Sequence, residues 1–224
     1  MSSNTIVDAM TRAWINELHA PEILPLDSQL LTDFNESITT QESHLVMDDQ
    51  QSLTEIDREL LRVYRYEIDR QRYMLAHYLA KRIEKIEKHW TILYRQYLQS
   101  ESSQPDGSAE DNQWNRLTPA EQEFLLGFVH TLEQHFHNSM LQFIHDPSLQ
   151  LFSVLPDSTT DCVPVAKESV PLDNEMVFLK PLEDIGTFMI SDDGTTIDFQ
   201  KGSLYYLKYK FIRELLQNGQ VELI

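Results

Sequence analysis

From Thr54 to Leu98 apolar side chains return every three or four residues, at Ile56, Leu60, Val63, Tyr64, Ile68, Leu75, Tyr78, Leu79, Ile83, Ile86, Trp90, Leu93 and Tyr97. That is the period of a helix, and no Gly or Pro interrupts the chain between Ser52 and Pro105. Ser52 followed by Glu55 has the form of a capping box at its start. At ~1.5 Å per residue such a helix is about 65 Å long, whereas a compact domain of about 150 residues is only ~40 Å across. The pattern therefore predicts a helix that outruns its domain, with one end projecting or covered by another chain. The pattern leaves open a break near residues 88–92, where aromatic and β-branched residues cluster.

The flanking pattern is helical too. Residues 5–18 place Ile6, Met10, Ala13, Trp14 and Leu18 on one side, and Pro21 and Pro25 close the helix. Residues 27–47 repeat the spacing through Leu30, Leu31, Phe34, Ile38 and Leu45, diluted by Thr, Ser and Asn. Residues 99–113 are Ser, Pro, Gly and acids without an apolar anchor, the composition of a mobile loop. Thr118, Pro119 and Glu121 then form a helix start, followed by an apolar face from Phe124 to Ile144 and a stop at Pro147.

Beyond a Pro-, Ser- and Thr-rich connector at 147–171 the period changes. MVFLKPL, TFMIS and TIDFQ read as short strands, with Asp193–Gly194 as a hairpin signal between the last two. LKYKFIRELLQ reads as one short helix stopped at Asn218–Gly219, and VELI as a final strand. Ending on Leu223 and Ile224 is unusual for a terminus, so that strand is expected to dock, into the small sheet or into an interface. The fold class is mainly α with a small β-rich domain. A helical bundle is expected over 1–146, a linker over 147–171 and a β-rich domain over 172–224.

Composition narrows the function. No apolar run reaches the ~18–20 residues of a membrane helix, and the start lacks a signal pattern, so an intracellular protein without membrane contact is expected. The chain carries a net charge of −18. One Arg faces nine acids over 1–51, ten Lys/Arg face seven acids over 52–100, and seven face twenty over 101–224. Tight duplex binding needs a clustered basic footprint, so direct DNA contact is expected to be weak or absent.

Catalytic signatures are missing. The six glycines form no phosphate-cradling loop, and no G-x-S-x-G elbow or H-E-x-x-H pair occurs. Cys162, the single cysteine, sits between acids that oppose a thiolate and excludes an internal disulfide. His130, Glu133 and His137 share one helix face, which leaves a helical-bundle metalloprotein as the alternative reading, but Phe136 breaks the Glu-x-x-His spacing of di-iron bundles. Asp192–Asp193 is explained by a turn. No cofactor and no catalytic or metal residue is therefore expected, and the chain reads as a non-enzyme.

The surplus is aromatic surface: Tyr64, Tyr66, Tyr73, Tyr78, Trp90, Tyr94 and Tyr97 fall on more than one face of the long helix. Aromatics are enriched in interface cores, so a scaffold that packs against partners is the leading reading. A self-associating coiled-coil tether is a further alternative, disfavoured by the irregular spacing at 56–98.

Four stretches, in order, carry a family resemblance: AWINELHAPEIL, RQRYMLAHYLAKRIEKIEK, LTPAEQEF and IDFQKGSLYYLKYKFIRELLQNGQVELI. Through Trp14, Asn16, Glu17, Ala20, Pro21 and Leu24, then Arg72, Tyr73, Arg82 and Lys85, then Lys201, Gly202, Tyr209, Gly219 and Leu223, the chain resembles the Sld-five family of the eukaryotic GINS complex. The resemblance implies a helical A domain followed by a β-rich B domain. It also implies a heterotetramer with three other GINS subunits, joined to the MCM ring and a DHH-family partner in the replicative helicase, and hence a nuclear location. GINS in that picture braces the helicase and performs no chemistry. Some relatives bear an acidic N-terminal tail that meets a replisome adaptor; here the first helix begins almost at once, so no such contact is expected. The interface is expected at Trp14, Tyr64, Ile68, Arg72, Tyr73, Leu75, Tyr78, Leu79, Arg82 and Ile86 in the helices, and at Tyr209, Phe211, Val221, Leu223 and Ile224 near the C-terminus.

Overall fold

The structure, a computed structural model, describes residues 3–48, 54–101, 112–139, 143, 174–189 and 196–224. Its packing forms two compact units, residues 1–84 with 172–224, and residues 85–171.

In the first unit α1 (Ser3–His19) and α2 (Ser28–Asp48) lie with the start of α3 (Glu55–Glu101). The apolar stripes of the sequence make their core: Met10 from α1, Phe34 and Ile38 from α2, and Ile68, Met74 and Tyr78 from α3 are buried together. Asp27 starts α2 by accepting the N–H groups of Gln29 and Leu30 at 3.0 and 3.1 Å. The box at the head of α3 is shifted from the expected pair. Thr54 and Asp57 form it, with the Thr54 N–H donating to the Asp57 carboxylate at 3.0 Å and the Asp57 N–H to Thr54 Oγ1 at 3.3 Å. Ser52 lies outside the described residues.

The same unit contains the C-terminal domain. Strands β1 (Met176–Pro181), β4 (Tyr205–Lys208) and β5 (Val221–Leu223) form an antiparallel sheet in the order β4-β1-β5. Strands β2 (Gly186–Met189) and β3 (Thr196–Phe199) pair antiparallel as a separate ribbon; the Asp192, Asp193 and Gly194 turn between them lies outside the described residues. Helix α5 (Tyr209–Gln217) covers the inner face with Tyr209, Ile212, Leu215 and Leu216 against Val177, Leu179, Val221 and Leu223. One expectation is corrected here. Residues 205–208 are a strand, and only 209–217 are helical, because Tyr205 and Leu207 alternate onto the core while Tyr206 and Lys208 face out. Gly219, at φ 70°, closes α5 with a Schellman pair, its N–H on the Leu216 carbonyl and that of Gln220 on the Leu215 carbonyl, both at 3.0 Å.

The second unit holds the remainder of α3, a 3-10 turn (Gln113–Arg116) and α4 (Pro119–Ser139). Helix α3 bends at His89 (φ −106°, ψ 15°), inside the window that the sequence leaves open. The ends of the expected 99–113 loop are ordered instead. The helix runs through Glu101, and Trp114 in the turn is buried, its ring 4.9 Å from that of Tyr97 and its N–H on Gln96 Oε1 at 3.2 Å. Residues 102–111 lie outside the described residues. Thr118 and Glu121 form the expected capping box at 2.8 and 3.3 Å, with Pro119 first in α4. The apolar positions Met140, Leu141 and Ile144, the stop at Pro147 and the connector 147–171 with Cys162 are likewise outside the described residues.

Candidate interaction surfaces

Three arrangements stand out, all within the first unit. The first is the head of α3. Between Glu55 and Glu67 only Leu61 is buried, and Ile56 (81% exposed), Val63 (61%) and Tyr66 (71%) join Leu60 and Tyr64 on open surface. Two ion pairs close within the helix here, Arg62 on Glu59 at 2.8 Å and Arg70 on Glu67 at 2.7 Å. The Arg70 hydrogen bonds hold the Glu67 carboxyl below its usual pKa, and Glu67 in turn raises that of Arg70. The stretch thus presents apolar area beside these two ion pairs. Each such side chain that a partner covers would contribute roughly 1.5–3 kcal/mol.

The second is the outer face of the three-stranded sheet. Strand β1 alternates strictly between buried and exposed, yet two of its outward residues, Met176 and Phe178, are large and apolar. Register sets Phe178 opposite Tyr206, their rings 4.5 Å apart, and Lys180 opposite Glu222. Leu204 and Ile224 are also exposed.

The third is interior and polar, where residues 16–24 meet α3 and the C-terminal domain. Arg82 is fully buried; it lies 3.3 Å from the Glu17 carboxylate and donates to the Leu24 carbonyl at 2.7 Å. Glu22, also fully buried, accepts from the Tyr209 hydroxyl at 2.7 Å and the Arg213 guanidinium at 2.8 Å. Asn16 Oδ1 accepts the Leu223 N–H at 2.9 Å. At the margin of the helical core, Trp14 Nε1 donates to His77 Nδ1 at 2.9 Å. A cleft of about 180 Å³ opens beside this network, lined in part by Asn16, Glu17, Tyr78 and Gln217. Its one carboxylate, Glu17, already faces Arg82. The network joins α1 and the loop after it to α3, α5 and β5.

The residues expected at an interface divide on these grounds. Ile68 and Tyr78 lie in the helical core, with Trp14 and Leu75 packed at its margin. Arg82 and Ile86 are fully buried, as are Tyr209, Val221 and Leu223, while Phe211 is half-buried. Tyr64, Arg72, Tyr73, Leu79 and Ile224 are exposed, Arg72 pairing with Glu42. Sequence reasoning passed over Phe178 and Tyr206, whose signal was apolar residues at successive positions of a strand, and Glu22, whose signal was a carboxylate inside an apolar run. His130, Glu133 and His137 are exposed on α4, with His130 bonded to Gln134 at 2.9 Å. Among the described residues no group of three or more His, Cys, Asp or Glu is arranged to hold a metal, and no helix is long and apolar enough to cross a membrane.

The comparisons with known proteins agree with this architecture. Residues 26–140 match a family profile described as the GINS complex protein helical bundle domain, and residues 171–224 match one described as the DNA replication complex GINS protein SLD5 C-terminus. The chain is similar to proteins called DNA replication complex GINS protein SLD5. It is 28% identical to that of Dictyostelium discoideum over 98% of this chain and 92% of the relative. It is 28% identical to that of Homo sapiens over 98% and 89%, and 27% identical to that of Arabidopsis thaliana over 100% and 93%. With a helical bundle and a β-rich C-terminal domain each matched in order, the chain belongs to the SLD5 family of GINS proteins.

Proposed function

We propose that this chain is a non-enzymatic structural subunit of a nuclear GINS heterotetramer, which braces the MCM-containing replicative helicase and its DHH-family partner during DNA replication. The observation that carries the reading is the open apolar head of α3, where Ile56, Leu60, Val63, Tyr64 and Tyr66 lie exposed. Contiguous exposed apolar surface of this kind marks a protein–protein contact. Tyr73, Leu79 and Ile224 extend the candidate contact set. Other members of the expected interface, Arg82, Tyr209, Val221 and Leu223 among them, are covered by the chain itself. The A-then-B division, with a helical domain over 1–146, a linker over 147–171 and a β-rich domain over 172–224, forms part of this proposal. Matches of separate family profiles to 26–140 and 171–224 favour it.

Co-expression with the three other subunits, followed by size-exclusion chromatography, tests the reading. The expected result is one hetero-assembly containing this chain, and a chain that behaves poorly by itself. A monodisperse, cooperatively folding monomer with no affinity for those subunits would overturn it.

A further inference from the structure

The three-stranded sheet treats its two edges differently. On β5 the Leu223 N–H points away from β1, and Asn16 of α1 captures it at 2.9 Å, so the chain closes that edge itself. On β4 the Tyr209 N–H bonds the Glu175 carbonyl at 2.8 Å. Antiparallel alternation then turns the backbone of Leu207 and Tyr205 toward β1 and that of Tyr206 and Lys208 outward. Among the described residues no strand lies beyond β4. Beside this open edge stand the exposed rings of Phe178 and Tyr206, with Leu204 and Met176 next to them.

Charge adds a direction. Lys180 faces Glu222 across the sheet, but Lys208 faces Met176, and Lys210 follows two residues later. Glu175 stands beside them, opposite Tyr209, so this end of the edge sets two lysines against one acid. A lysine on an edge strand can serve simply to repel stray strands. That role explains Lys208 and leaves the apolar face above it unexplained. Only an extended backbone supplies the alternating donors and acceptors that an open edge can use.

We propose that the β4 edge is completed by an extended segment of a partner subunit, with apolar side chains over Phe178 and Tyr206 and a carboxylate against Lys208. This rests on the subunit reading and adds to it a specific mode of contact.

The test compares the full chain alone with the chain in the co-expressed four-subunit assembly. Amide hydrogen exchange at Tyr206 and Lys208 is expected to slow at least tenfold in the assembly. Tyr206→Pro removes an outward N–H that the β1–β4 ladder does not use, and is expected to lower co-purification of partners at least tenfold; Tyr206→Phe is expected to retain it. Should Tyr206→Pro fail to fold, Lys208→Glu serves instead, with the same tenfold loss expected. Unchanged exchange at both amides in an assembly that forms normally overturns the strand proposal and leaves the subunit reading intact, as does unchanged co-purification by the folded variants. Protection that arises from a homodimer of this chain, seen by light scattering, also overturns it. Failure of the wild-type chain to assemble at all removes the subunit reading, and the strand proposal with it.

Discussion

The hydroxyl of Tyr209 donates to the carboxylate of Glu22 at 2.7 Å, across 187 residues of sequence and with both side chains fully buried. The second oxygen of that carboxylate takes the Arg213 guanidinium at 2.8 Å. One acid from the loop after α1 thereby holds two positions of α5. Glu22→Ala leaves a buried hydroxyl and a partly buried cation without it, and is expected to cost about 3–5 kcal/mol. Tyr209→Phe removes one hydrogen bond and keeps the ion pair, costing about 1–2 kcal/mol. Urea unfolding midpoints of the two variants check the order.

Arg82 offers a sharper test of what buried charge contributes. Its removal as Arg82→Ala is expected to cost about 3–5 kcal/mol, since Glu17 is then left charged in the interior. Replacing both partners, as Arg82→Met with Glu17→Leu, is expected to recover most of that loss. A double-mutant cycle on thermal stability measures the coupling, and additive single costs would contradict a direct pair.

His89 at the bend of α3 sets a pH dependence. Burial, with Lys88 and Lys85 adding to it, holds the imidazole below its ordinary pKa of about 6.5, and its Nε2 has no hydrogen-bond partner among the described residues. The unfolded chain therefore binds the proton first as pH falls. The stability associated with a neutral His89 is complete above about pH 6.5 and declines as pH drops from there toward the lower folded value. Denaturant midpoints at pH 7.5 and 5.5 should show a smaller difference in His89→Leu than in the wild type.

The last two residues separate fold from assembly. Leu223 is fully buried and paired in β5, while Ile224 is 47% exposed beside Phe178. Deletion of Leu223 and Ile224 together is expected to destabilise the C-terminal domain and so impair assembly. Ile224→Ser is expected to leave stability within about 0.5 kcal/mol and still weaken partner binding. Melting curves read beside co-purification distinguish the two effects.

Period and punctuation made most of the architecture legible. The long helix, the Thr118–Glu121 box and the Gly219 stop each follow from local chemistry, while the sequence left open whether the helix breaks near 88–92. The capping pair at the head of α3 came out displaced because Thr54–Asp57 and Ser52–Glu55 offer the same spacing, and local rules do not rank them. Leu207 and Lys208 of β4 read as helix because LKYKFIREL carries both periods, and only pairing with β1 decides those first residues. The interface set was hardest to read. Ile68, Tyr78 and Leu223 have the same apolar character as Tyr64 and Ile224, and which of them the chain covers itself depends on contacts far along the sequence. Arg82 illustrates the limit: an arginine reads as surface until Glu17 and the Leu24 carbonyl, some sixty residues earlier, are set around it.

The joining of residues 1–84 with 172–224 in one compact unit also has a consequence in time. When residue 84 has been synthesised, the sheet that Asn16, Ala20 and Glu22 pack against does not yet exist. At ~5–20 residues per second, translation of the intervening chain takes on the order of ten seconds. For that interval the carboxylate of Glu22 and the apolar end of α1 lack the strands and helix that bury them in the finished chain. The nascent chain is then at its most adhesive, and the arrangement favours a partner or chaperone that reaches the first helices before the last strand is made.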